Sequence, residues 1–118
     1  MGKPFRFREF PVYKESKEFL QFCYKITENM RNKDLKSQIH RAANSIVLNI
    51  AEGSAKNSDK DFARYLSSSI GSVNEIIAAF DICKDLDLIN KDLLSKIELH
   101  ATKIVSQLAS FRNSLKSK

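Results

Sequence analysis

With 118 residues, 42% of them apolar and 29% charged, the chain has the size and make-up of a single globular domain and is too apolar to remain disordered. Its net charge of +6 is unevenly placed: residues 1–41 hold ten Lys and Arg against five Asp and Glu, and residues 42–118 hold ten against nine, which points to an anionic partner for the first third. No apolar run reaches the ~20 residues that span a bilayer, no secretory leader pattern opens the chain, and Arg6 stands where an acylation signal after Met1-Gly2 wants Ser or Thr, so a cytoplasmic protein without a membrane role is expected.

Both prolines, Pro4 and Pro11, fall in a basic, aromatic arm over residues 1–11, and nothing after Pro11 forbids helix. From about 12 to 30, Phe19, Leu20, Cys23, Ile26 and Met30 recur at three- and four-residue steps, the period of one helical face. A polar joint follows, with Asp34 placed to cap a second helix over about 35–56. Leu35, Ile39, Ala42, Ile46, Asn49 and Gly53 mark its stripe, and Ala43, Val47, Ile50 and Ala51 widen it beyond one face.

Ser58, with Asp61 three residues on, predicts the cap of a third helix over about 59–86, where Phe62, Leu66, Ser69, Val73, Ile76, Phe80 and Cys83 alternate in steps of four and three. At 1.5 Å per residue such a helix would be about 42 Å long. Asn90 caps a fourth helix over about 91–116, with the stripe Leu94, Ile97, Ala101, Ile104, Leu108, Phe111 and Leu115. Heptad-like steps and short joints predict one domain over 1–118, an all-α, antiparallel up-and-down four-helix bundle with crossings near 20°. Helices two and three carry more apolar surface than such a bundle needs, and Ser69, Gly71 and Ser72 place small residues in mid-helix; both features predict packing against further copies of the chain.

No nucleophile and base come together in this pattern, no glycine-rich phosphate loop is present, and Cys23 and Cys83, the only cysteines, lie in apolar stripes as reduced thiols. No enzyme, metal or cofactor is expected, and His40 and His100 read as solvated side chains. Arg41, Asn49, Glu52 and Glu75 are polar or charged groups at or near the stripes of helices two and three, and they predict a structural network tying Arg41 to Glu52 or Glu75. For an anionic partner the candidates are Arg6 and Arg8, interleaved with Phe5 and Phe7, then Lys14, Lys17 and Lys25 on helix one, and Lys36, His40 and Arg41 on helix two.

The run Ser37-Gln38-Ile39-His40-Arg41-Ala42-Ala43-Asn44-Ser45-Ile46, then Asn49-Ile50-Ala51-Glu52-Gly53, Asp61-Phe62-Ala63-Arg64-Tyr65-Leu66 and Gly71-Ser72 through Glu75, resembles the bacterial four-helix-bundle family first noticed in intervening sequences of 23S ribosomal RNA genes. A relative of that family is the accessory variability determinant of diversity-generating retroelements. The resemblance implies a homopentamer that binds RNA or a nucleic-acid-processing protein. The chain departs from the family pattern at His40, at Val47-Leu48 and at Ser54-Ala55-Lys56. The function expected on these grounds is non-enzymatic binding of RNA or a ribonucleoprotein through repeated basic surfaces; the alternative is a protein scaffold with no nucleic-acid role.

Overall fold

Pro11 decides where the first long helix begins: its ring fixes φ near the helical value, and the N–H it lacks is one that a first turn leaves unbonded. In a computed structural model that describes residues 3–116, a single 3-10 turn at Arg6–Glu9 leads into α1 (Pro11–Thr27), α2 (Lys33–Ser54), α3 (Asp59–Asp85) and α4 (Lys91–Lys116). Met1 and Gly2 of the expected arm, and residues 117–118 of the expected domain, lie outside the described residues.

Three helix ends differ from the sequence reading, the third being that of α2, which stops at Ser54 and not near 56. Helix α1 stops at Thr27, whose buried hydroxyl donates to the Cys23 carbonyl at 2.8 Å, and the Met30 N–H bonds back to Thr27 O. Met30 therefore lies in the joint, packed against the core from outside the helix. The cap of α2 is Asn32, whose side-chain oxygen accepts the Leu35 N–H at 3.1 Å; Asp34 sits inside the first turn, where a carboxylate favours the helix dipole. Ser58 and Asn90 cap α3 and α4 as expected, accepting from Asp61 N and Leu93 N.

Successive helices run antiparallel in an up-and-down four-helix bundle of about 50 × 24 × 19 Å. Helix α1 packs on α2 and α4, and α3 packs on the same two, while the diagonal pairs make no close backbone approach among the described residues. The core runs through Phe19, Ile39, Ile46, Ile50, Leu66, Ile76, Phe80, Ile97, Ile104 and Leu108, all fully buried. Each such side chain contributes roughly 1.5–3 kcal/mol relative to exposure.

At 17 residues α1 is ten shorter than α3, and the arm covers part of what it leaves open. Phe10 stacks on Phe62 at 6.2 Å and meets Phe111 edge-on at 5.2 Å, with Phe62 and Phe111 at 5.1 Å, which closes that end of the bundle. At the opposite end, α3 stops in a turn whose Asp87 takes a left-handed φ of 60°. There Leu88 N–H bonds to Cys83 O and Asp87 N–H to Lys84 O, so the last carbonyls of α3 are satisfied.

Candidate functional site

The second helix presents its polar motif outward. Arg41, Asn44, Leu48 and Glu52 recur at three- and four-residue steps on the exposed face of α2, and an open depression of about 550 Å³ follows this line. Leu48 is 63% exposed in the middle of it. The network expected of Arg41, Glu52 and Glu75 does not form within the subunit: all three are exposed, and no hydrogen bond or ion pair joins them among the described residues. Asn49 instead donates to Ser45 O and Ser45 Oγ, and Ser72 Oγ donates to Ser45 Oγ at 2.9 Å, which links α2 to α3 by hydroxyls and an amide.

Of the three small residues expected between subunits, Ser69 is fully buried inside the bundle and donates to Ile46 O at 2.9 Å. Ser72 is half-buried in the α2–α3 seam. Gly71 alone faces outward, with nothing within 4 Å of where a side chain would start.

The eight residues proposed to meet an anion divide. The Arg6 guanidinium donates to Ser54 O at 3.0 Å and lies 5.5 Å from the rings of both Phe10 and Phe62, so it pins the arm. Arg8 lies over Phe5 at 5.1 Å. His40 is not a solvated cation. Its ring stacks on Tyr24 at 3.8 Å with planes 9° apart, and its Nε2 is 2.8 Å from the buried Thr27 hydroxyl, while the Tyr24 hydroxyl donates to Asn44 Oδ1. Burial first, and the nearby Lys36 charge second, hold the His40 imidazole below its ordinary pKa.

Stability linked to His40 therefore has a definite sign. The unfolded chain takes up the proton first, so the contribution of neutral His40 is complete above about pH 6.5 and is lost as pH falls through that value toward the lower folded one. Between pH 7.5 and 5.0 the melting temperature should fall further for the native chain than for His40→Gln, and equal falls would contradict this.

Lys14, Lys17, Lys25, Lys36 and Arg41 remain. None is in an ion pair among the described residues; Lys36 donates to the Glu28 carbonyl and Lys17 lies 4.9 Å over Tyr13. At about 100° per residue, Lys17 lies toward the α2 side of α1 with Tyr24, Lys14 and Lys25 point outward with the exposed Glu18 beside them, and Glu15 turns toward α4. Glu15 meets Lys103 at 3.0 Å and His100 at 3.7 Å on that side. His100, like His40, is no free surface histidine: it packs edge-on against Phe19 at 5.0 Å. Burial pushes the Cys23 thiol up to about 12 and raises that of Cys83, which leaves both as unreactive thiols.

A family model described as 23S rRNA-intervening sequence protein matches residues 8–110. The chain belongs to the 23S rRNA-intervening sequence protein family. Among solved structures, it is similar to a protein of unknown function from the S23 ribosomal protein family of Bacteroides thetaiotaomicron, with 25% identity over 86% of this chain and 97% of that one and a TM-score of 0.78. No curated protein matches it. The match of this 23S rRNA-intervening sequence family member spans α1, α2 and α3 and most of α4, so residues 1–7 and the end of α4 from 111 onward are outside it. No described helix is long and apolar enough to cross a membrane.

Proposed function

We propose that this protein is a non-enzymatic binding module of the cytoplasm which assembles with copies of itself, five by the family resemblance, and holds RNA on the basic side of α1 and the first turns of α2. One observation carries this reading: the three lysines of α1 are exposed and make no ion pair among the described residues. Glu15, on the α4 side, has Lys103 as partner, while Glu18 and Glu28 are exposed on the same side of α1 as Lys14 and Lys25, so the lysines exceed the free acids there by three to two. Repetition around a ring would add these fields at one polyanion. The exposed Leu48, set among hydrogen-bonding groups on α2, is the mixed surface expected where copies or a protein partner dock.

Fluorescence anisotropy with a labelled RNA duplex, titrated at several salt concentrations, tests it. Binding should weaken steeply with salt, and Lys14→Ala, Lys17→Ala and Lys25→Ala together should flatten the slope of log K against log salt by about 2–3, since each phosphate contact contributes about 0.9. Lys103→Ala, on the other seam, should leave the slope unchanged. Absence of binding at low salt would favour the scaffold reading.

A further inference from the structure

Three side chains able to hold a cation converge where the first helix meets the last. Glu15 and Glu18 lie one turn apart on α1 and His100 comes from α4, with one donor atom of each within 4.8 Å of the other two. His100 Nε2 stands 3.7 Å from Glu15 Oε1. That is longer than a hydrogen bond. It is close to the spacing of two ligands on one tetrahedral ion, which comes to about 3.4 Å when each donor is about 2.1 Å from the metal. The imidazole is also held from behind, by Phe19 at 5.0 Å and Phe22 at 6.1 Å, so its approach to the carboxylates is set by packing and not by solvent.

We propose that Glu15, Glu18 and His100 form a divalent transition-metal site of the zinc class that clips α1 to α4. One imidazole nitrogen with two carboxylates suits zinc, whereas magnesium and calcium take oxygen ligands throughout. Glu18 is exposed and the side chains of Glu15 and His100 are 21% and 23% exposed, which leaves water access to the remaining coordination position. The Lys103 ammonium, 3.0 Å from the same Glu15 oxygen, competes with the ion; its side chain is 63% exposed and free to swing into solvent. Zinc bound to the folded chain alone raises its melting temperature by mass action.

Calorimetric titration of the full, untagged chain with zinc chloride, and with magnesium chloride for comparison, decides the matter. One zinc per chain is expected, with magnesium far weaker. Glu18→Gln, which changes an exposed group and leaves the core intact, and His100→Ala should each weaken zinc binding by more than about tenfold, because even residues that only orient a ligand are worth about 10–100-fold. Lys103→Ala should tighten it, and zinc should raise the melting temperature of the native chain and not of Glu18→Gln. A titration without saturable zinc binding would overturn the proposal. So would binding undiminished in both ligand variants, since the ion would then sit elsewhere. If Glu15, His100 and Lys103 formed only an ion-pair cluster, zinc would leave the melting temperature unchanged.

Discussion

Phe62→Ala should lower the stability of the bundle by about 3–5 kcal/mol, the range for deleting a buried aromatic ring. Phe62 is 2% exposed, and its ring is shared by three groups from elsewhere in the chain: Phe10 at 6.2 Å, Phe111 at 5.1 Å and the Arg6 guanidinium at 5.5 Å. Each aromatic pair adds about 0.5–1.5 kcal/mol beyond the area it covers. Truncation would thus open a cavity and release the arm together. Urea unfolding at fixed protein concentration measures the loss as a shift in midpoint. Leu99→Ala, at a site 76% exposed, is the control and should stay within about 0.5 kcal/mol of the native chain. A loss under about 1 kcal/mol for Phe62→Ala would mean that the arm does not close the bundle as described.

The two helical glycines should respond to alanine with opposite signs. A Cβ on Gly53 would stand 2.6 Å from Tyr65 Cβ and 2.9 Å from Phe62 Cδ1, and a Cβ cannot rotate away. Overpacking of this kind costs about 1–3 kcal/mol, set against a gain of about 1 kcal/mol in helix propensity, so Gly53→Ala should be destabilising on balance. At Gly71 nothing lies within 4 Å, and Gly71→Ala should gain close to that full ~1 kcal/mol. Gly71→Leu extends the comparison to assembly: it should leave the subunit folded and reduce the oligomer mass seen by light scattering, because the bulk projects outward from α3. Two losses at the alanine variants, or an unchanged mass for Gly71→Leu, would contradict this account.

Most of the fold was legible because four apolar stripes of period 3.6 are separated by caps that the sequence spells out, as at Ser58 and Asn90. At the start of α2 the sequence points to Asp34 as the cap, but Asn32, two residues earlier, takes that role by accepting the Leu35 N–H. The glycines show a different limit. Both sit in helical sequence, and only the neighbour across the seam, Tyr65 for Gly53 and none for Gly71, reveals which one marks a close approach. The candidate site was half legible. Lys14 and Lys25 could be placed on an outward face by counting, with Lys17 nearer α2, but the withdrawal of His40 into a stack with Tyr24 depends on how α1 and α2 are set side by side. Glu15, Glu18 and His100 escaped notice for the same reason: their ligand spacing crosses two helices some 80 residues apart, and no local motif records it.

Phe10 and Phe111 touch although a hundred residues separate them, and this bears on how a ribosome delivers the chain. Until the final helix has emerged from the exit tunnel, the first three can only form a trough with its greasy floor open along the side that α4 will later cover. Nascent chains halted before Phe111 should therefore recruit holding chaperones, and release should coincide with the moment the two distant rings meet.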